Sequence, residues 1–599
     1  MDIFPFPDKR DKQQELIDVF EETIDEETSL IAHAPTGLGK TAATVTPALE
    51  KTLEDDGKVF FLTPRHSQHE IALETVRKIN ERHSENIVSV DLIGKDHLCE
   101  ADGVTRDGPS CPRHDETFDG KELSKKAWKK IHELKHQNLR AEELKKKCKD
   151  VCAYSISMYM SQEADIIIAD YFHIFHPGIR SMVTEISQAS LEDSVLIVDE
   201  AHNLPSRTRS LFSHTISLDL VENCITEAEK FGYYQEQENL EQLRTEIQRM
   251  ARNKLSQKDT EAELEKSDLK NPVDNFHSFE EMIIDMEAVG EEVQEEEEKS
   301  YCASLAESLE GWKGDDEGFF RNVEKTRSGS DRSIRIKYSC LDPSISTAEP
   351  LNKAKASVLM SGTLKPQEMY IDLLGLEDAN TIEFKSPFPK ENKLELTVNT
   401  LTTRYKERDQ SMIQKYVWYL ENSLEEVEGN AAVFFPSYQL MNQIGEPLNE
   451  RTDREVLMEK RRNSKEQNQD ILDRFKNGKE SVLLGVASGS FGEGVDYPGE
   501  MMKAVFIIGL PLRKPDLKTE ALIDYLDDKY GKGWQYGYTY PGVNTAVQAA
   551  GRCIRSKTDK GIICFMDKRY TWNKYSKLLE DRPQETRAPW QEIKEFQEK

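Results

Sequence analysis

Ala34-Pro35-Thr36-Gly37-Leu38-Gly39-Lys40-Thr41 follows the short apolar run Ser29–Ala32 and opens a stretch with a helical pattern. A strand, a tight glycine turn and a helix start in that order make a phosphate cradle, because backbone N–H groups of the turn and helix end point at anionic oxygens. Lys40 then reaches the β- and γ-phosphates, and the Thr41 hydroxyl holds Mg²⁺. The first position is Ala34 rather than glycine, which leaves every phosphate ligand in place. The octet implies a site for a nucleoside triphosphate on an α/β sheet.

Working outward, apolar runs rich in β-branched residues recur at Ser29–Ala32, Val59–Leu62, Ile166–Ala169, Val195–Val198 and Val358–Met360. A second series is Ala431–Phe435, Val482–Leu484, Val505–Ile508 and Ile562–Phe565. Continuous apolar runs separated by helical stretches mark parallel strands buried on both faces, so two doubly wound α/β domains are predicted. The first series is interrupted twice. About a hundred residues with Cys99, Cys111, Cys148 and Cys152 precede Ile166, and a longer segment with helical periodicity, including Leu218 to Leu255, precedes Val358. Structureless loops of that length are rare, so both read as inserted domains. Glu280 to Glu298 holds ten acidic residues and no basic one, the pattern of a solvated helix face or loop.

The chain has 599 residues, 32% of them charged, and a formal net charge of −30. Such a surface repels nucleic acid, so any nucleic-acid path must be a local basic track. Between Lys121 and Lys149 eleven Lys and Arg face four Asp and Glu, which is either that track or a solvated amphipathic helix; Trp128 and Tyr154 lie in or beside it. No apolar run reaches membrane-span length and no signal-peptide pattern opens the chain, so a soluble intracellular protein is expected. Nine cysteines in a reducing compartment point to metal or free thiols rather than disulfides. The four in the first insertion are spaced C-x11-C-x36-C-x3-C, unlike a paired zinc ribbon, and suit an iron–sulfur cluster or a four-thiolate zinc site. Cys224, Cys302, Cys340, Cys553 and Cys564 read as buried or free thiols.

Val195 to His202 is a buried strand running into Asp199-Glu200-Ala201-His202. There Asp199 can hold Mg²⁺ and Glu200 can polarise the attacking water. Gln548, Arg552 and Arg555 are spaced for one helical face, and the arginines suit charge developing on a γ-phosphoryl group. Gly489 to Asp496 is a glycine-rich loop after a buried strand, fit to touch nucleotide and nucleic-acid backbone.

The ordered set resembles superfamily 2 helicases, specifically the XPD-type iron–sulfur DNA helicases. It is carried by Phe4–Gln13, Ala34–Thr41, Phe61–Gln68, Ala164–Tyr171, Asp199–His202, Ser361–Leu364, Val433–Tyr438, Gly489–Asp496 and Gln548–Arg555. The resemblance implies two RecA-like motor domains, the first split as 1–95, 156–208 and 346–390 and the second 391–599. A four-cysteine [4Fe–4S] domain would occupy 96–155 and a helical arch-like insertion 209–345. It adds Arg10, Gln13, His202, Asp496 and Gln548 to the ATP site, and Thr63, Arg65, Tyr154 and Ser437 as contacts to single-stranded DNA. It implies ATP- and Mg²⁺-dependent 5′→3′ unwinding of forked DNA by a monomer, in a repair context with repair-protein partners, in a prokaryotic cytoplasm at the nucleoid. An ATP-gated scaffold subunit and an RNA-directed DEAH ATPase are the alternatives. His33, Leu38, Ala153 and Met158 depart from the family pattern; the last puts a damage-sensing role for that patch in doubt.

Overall fold

The computed structural model describes residues 3–599 except 56, 100–110, 257, 298, 329–330, 493–496, 498–500, 513–514 and 555–557. Asp496 and Arg555 lie outside the described residues. Two seven-stranded sheets, parallel throughout, organise the chain. The first runs, edge to edge, Ala379–Glu383, Ser29–His33, Ala356–Ser361, Ser194–Asp199, Lys58–Thr63, Ile166–Asp170 and Ser89–Leu92. The second runs Val456–Met458, Val482–Val486, Ala431–Phe435, Ala504–Ile508, Gly561–Met566, Lys393–Val398 and Gln584–Thr586. All nine apolar runs of the sequence are strands of these sheets, buried on both faces by flanking helices. The five strands without such a run stand at or next to an edge, where one side needs less apolar cover.

Both insertions leave the first sheet at its strand ends. The cysteine segment returns as short helices, among them Lys125–Leu134, Ala141–Lys147 and Ala153–Met160. Asn138 docks it on the edge strand. Its Oδ1 accepts from the Ser89 N–H (2.7 Å) and hydroxyl (2.8 Å), and its Nδ2 donates to the Ile87 carbonyl (3.1 Å). The second insertion contains the helices Leu218–Phe231, Tyr234–Lys254, Phe279–Glu296 and Tyr301–Trp312. It also carries a four-stranded antiparallel sheet, His214–Ser217, Asp331–Cys340, Phe319–Ser328 and Glu261–Glu263, which the helical reading does not contain. Glu280, Glu281, Glu287, Glu291 and Glu292 of the acidic stretch lie on the wet side of the helix Phe279–Glu296, whose other side buries Phe279, Met282, Met286, Val289 and Val293 in this insertion's own core.

A single apolar core reaches from the first sheet into the second, through Tyr370, Leu373, Tyr536, Tyr540 and Val543. Polar pairs cross the same seam: Tyr536 Oη donates to Asp372 Oδ2 (2.6 Å) and Asn544 Nδ2 to Tyr370 Oη (3.1 Å). No helix among the described residues is long and apolar enough to cross a membrane.

Candidate nucleotide and nucleic-acid site

The buried strand Ser29–His33 delivers the phosphate loop, and the helix Lys40–Glu54 starts at its end. Gly37 and Gly39 hold φ of 92° and 87°, in the left-handed region that favours glycine. Space enforces the choice as well. A Cβ on Gly37 would stand 2.7 Å from the Phe388 ring, and one on Gly39 2.5 Å from Gln13 Nε2. Arg10 Nη1 donates to the Gly37 carbonyl and Gln13 Nε2 to the Gly39 carbonyl, each at 2.9 Å. Gln13 Oε1 in turn accepts from the Arg10 N–H (2.8 Å). Arg10 and Gln13 thus brace the loop by its carbonyls, as a loop presenting N–H groups to phosphate requires.

The strand Ser194–Asp199 brings the two acids alongside. Asp199 is buried and its Oδ1 has no hydrogen-bond partner. Burial, and then the charge of Glu200, push its carboxyl above the usual range. An orphaned buried carboxylate oxygen of this kind fits a divalent cation. Glu200 holds φ of 48°, a strained value for a side-chain-bearing residue. The buried Tyr171 hydroxyl, shared between the carbonyls of Asp199 and Glu200, fixes that turn. Burial acts to raise the Glu200 carboxyl, but the Lys40 ammonium and the hydrogen bond to His202 outweigh it and hold the group well below the carboxylate range. One acid is therefore poised for a cation and its neighbour stays ionised beside Lys40.

A line of hydrogen bonds leads from this pair to the other sheet. Ser361 Oγ donates to Glu200 Oε2 (3.0 Å) and stands 2.6 Å from His202 Nδ1. Thr363 Oγ1 lies 3.4 Å from Ser361 Oγ and accepts from Gln548 Nε2 at 3.0 Å. Gln548 belongs to the helix Tyr540–Ala550 of the second motor half. The spacing predicts Gln548, Arg552 and Arg555 on one helical face, but the helix stops at Ala550 with Gly551 as its cap. Glycine is a poor helix former and ends the run there. Arg552 lies in the following turn, where its Nε donates to the Gly492 carbonyl (2.9 Å).

The four cysteines of the first insertion all sit at helix ends. Cys99 and Cys148 cap carboxyl ends, and Cys111 and Cys152 cap amino ends. Lys145 Nζ donates to the Cys99 carbonyl (3.3 Å), and the Cys152 N–H donates to Thr117 Oγ1 (2.7 Å), so the four ends belong to one small assembly. Burial pushes the Cys148 thiol up to about 12, so a cation would be needed to ionise it. Among the described residues no three His, Cys, Asp or Glu form a set able to hold a metal ion. The donor chemistry suits four-thiolate ligation, whereas the set as it stands is open: Cys99 and Cys111 flank 100–110, outside the described residues. The five remaining cysteines are buried and free.

Thr63 ends the strand Lys58–Thr63, Ser437 lies just past the strand Ala431–Phe435, and both spend their hydroxyls locally. Thr63 Oγ1 donates to the Arg65 carbonyl (2.9 Å), and Ser437 Oγ accepts from the Leu440 N–H (3.3 Å) as a helix cap. Each stands at a helix amino end, with Arg65 as the cap of His66–His83 and Ser437 as the cap of Tyr438–Arg451. Tyr154 is half-buried and packs on the core, and Trp128 stacks on His132 with centroids 6.0 Å apart. Sequence reading passed over a second basic and aromatic surface. The Arg404 guanidinium lies 5.7 Å over the Trp572 ring, Lys574 lies 4.7 Å over Tyr575, and Lys577 5.7 Å over Tyr540. Tyr405 and Trp534 are exposed at 87% and 57%. Interleaved Lys568, Arg569, Tyr570, Trp572, Lys574, Tyr575 and Lys577 carried that signal in plain view.

Three domain models match along the chain: DEAD/DEAH box helicase over 10–102, DEAD_2 over 61–221 and Helicase C-terminal domain over 420–586. The ATP-dependent DNA helicase XPD of Sulfolobus acidocaldarius is 24% identical, over 95% of this chain and 98% of its own. The XPD/RAD3 helicase subunit of transcription and DNA repair factor IIH from Saccharomyces cerevisiae is 21% identical, over 95% of this chain and 87% of its own. ATP-dependent DNA helicase CHL1 of the same species is 24% identical over 72% of this chain, which spans only 56% of that relative. A solved XPD helicase structure superposes with a TM-score of 0.70 at 20% identity, covering 97% of this chain and 100% of its own. Two RecA-like halves joined across a phosphate loop and a DEAH box define a superfamily 2 motor. Within that class, the ordered domain matches and the relatives aligned over 95% of the chain show its similarity to XPD-type helicases.

Proposed function

We propose that this chain hydrolyses ATP to move 5′→3′ along single-stranded DNA and to split duplex DNA, in a repair setting. The observation that carries it is the bonded line from Glu200 through Ser361 and Thr363 to Gln548, which ties the hydrolytic acids of one half to the other. Closing and opening around nucleotide then becomes relative motion of two DNA-holding halves. Phe4–Gln13 and the phosphate loop hold ATP, with Lys40 on its phosphates. Thr41 and Asp199 would hold Mg²⁺, which neutralises phosphate charge, while Glu200 orients the attacking water. His202, Asp496, Gln548, Arg552 and Arg555 complete the site from the remaining motifs. Thr63, Arg65, Tyr154, Ser437 and the Tyr405–Trp572 surface are proposed to hold the strand. Polarity and repair context rest on the family resemblance, as do the boundaries at 95, 155, 208, 345 and 390.

Cys99, Cys111, Cys148 and Cys152 would hold a [4Fe–4S] cluster, which when bound cross-links the helix ends of the insertion. We place the strand-splitting wedge at this insertion and its neighbour. Strand displacement on duplexes with a 5′ or a 3′ single-stranded tail tests the reading. Unwinding of the 5′-tailed duplex alone is expected, and Lys40→Ala should lower ATP turnover at least about 100-fold while DNA still binds. Equal unwinding of both, or of neither, would remove the proposed activity.

A further inference from the structure

Glu459 follows the short edge strand Val456–Met458 and is only 2% exposed, yet among the described residues no Lys or Arg pairs with it. Three hydrogen bonds hold it instead. Its Oε2 accepts from the Val486 N–H (2.9 Å), and its Oε1 accepts from the Ser490 N–H (2.9 Å) and the Tyr438 hydroxyl (3.0 Å). The carboxylate fills space that two glycines vacate. A Cβ on Gly489 would lie 2.6 Å from Oε2, and one on Gly485 3.3 Å from it. The glycine loop after the strand Val482–Val486 is therefore wrapped around the buried Glu459 carboxyl group. At its far end the Gly492 carbonyl takes the Arg552 Nε (2.9 Å). At its near end Tyr438 follows Ser437, the cap of the helix Tyr438–Arg451.

We propose that Glu459 is a positioning residue that couples strand contact at the Ser437–Tyr438 turn to the placement of Arg552. Resting on the motor reading above, it identifies how the DNA side of the second half addresses the nucleotide side. Charge-assisted bonds to backbone N–H groups are short and directional, so movement of the Tyr438 hydroxyl moves the carboxylate and the Val486–Gly492 backbone with it. Arg552 is carried on that backbone through the Gly492 carbonyl. A glutamine fits the same volume but accepts on only one of its two atoms. Whichever way it turns, an N–H of Val486 or Ser490 meets an amide donor instead of an acceptor.

The test is ATP turnover of the full chain with and without a single-stranded oligonucleotide, for wild type, Glu459→Gln and Tyr438→Phe, each with a thermal melt. Glu459→Gln is expected to lower kcat with DNA about tenfold while KM for ATP stays within about twofold, the signature of a contact used after binding. Tyr438→Phe keeps both backbone bonds and loses only the link to the turn. Its kcat at saturating DNA should fall about threefold with KM for ATP and melting unchanged, an effect no simple loss of stability produces. If Glu459→Gln does not fold, Tyr438→Phe decides alone. Wild-type-like stimulation by DNA in Tyr438→Phe, or in a folded Glu459→Gln, overturns the coupling while the motor reading stands. A wild-type chain whose turnover ignores DNA overturns both.

Discussion

His69 shows how much of this fold is settled by single side chains that no motif marks. Its Nδ1 lies 2.6 Å from Asp91 Oδ1 and its Nε2 3.8 Å from Asp170 Oδ1, with His66 Nε2 2.8 Å from Asp170 Oδ2 and His173 Nδ1 3.2 Å from the Asp170 carbonyl. Asp91 also accepts from the Ala141 N–H (2.8 Å), so the group joins the edge strand to the cysteine insertion. Burial acts to discharge His69, but Asp170 and Asp91 more than reverse it and raise the imidazole to about 9. A group raised on folding lends stability that is complete below its unfolded value near 6.5 and is lost as pH climbs through the folded one. Chemical denaturation should therefore find the wild type less stable at pH 9.5 than at pH 6, with His69→Gln removing about 2–3 kcal/mol of that difference. A variant whose pH dependence matches wild type would show that His69 is uncharged in the folded chain.

Elements explain what sequence reading reached and where it stopped. Ala431–Phe435 is legible because five apolar residues in a row have no use outside a sheet covered on both faces. Ala379–Glu383 is not, because that edge strand is largely exposed and reads Ala, Asn, Thr, Ile, Glu. Ser89–Leu92 is buried yet missed, since its cover comes from the inserted domain and its Ser89 and Asp91 are spent on Asn138 and His69. The phosphate loop, Asp199 and Glu200 are legible as motifs and the basic–aromatic run Lys568–Lys577 is legible but was passed over, whereas Glu459 is held only by partners distant in sequence. The same logic separates insertion from motor. Cys148 caps a helix that contributes to neither seven-stranded sheet. Cys148→Ser should abolish bound iron, visible absorbance and unwinding, and leave about half or more of the ATP turnover. Retained iron would take Cys148 out of the ligand set, and retained unwinding without iron would take the cluster out of the wedge.

At the scale of the whole molecule, a chain of net charge −30 holds a polyanion only where local charge reverses the average. Two surfaces qualify, Lys121–Lys149 and the patch of Arg404, Lys574 and Lys577 over Trp572, Tyr575 and Tyr540. In the first, Lys126 is paired with Glu116 (2.9 Å), which offsets part of its charge, and Lys145 is held against the His97 carbonyl (2.9 Å). The second exposes Trp572, Lys574 and Lys577, while the Tyr575 and Tyr540 rings beneath the lysines are buried and Arg404 also lies 3.7 Å from Glu407. Charge and stacking have separable signatures. Lys574→Glu with Lys577→Glu should flatten the dependence of log Kd on log salt by roughly 1.4 or more, since each phosphate contact on a single strand contributes about 0.7. Trp572→Ala should weaken binding about 5- to 100-fold at every salt concentration without changing that slope, because stacking releases no counterions. A slope change with Trp572→Ala would mean that the ring only positions Arg404 and Lys574. Unaltered binding in both variants would move the strand off this face and back to Arg65 and the helix end at Ser437.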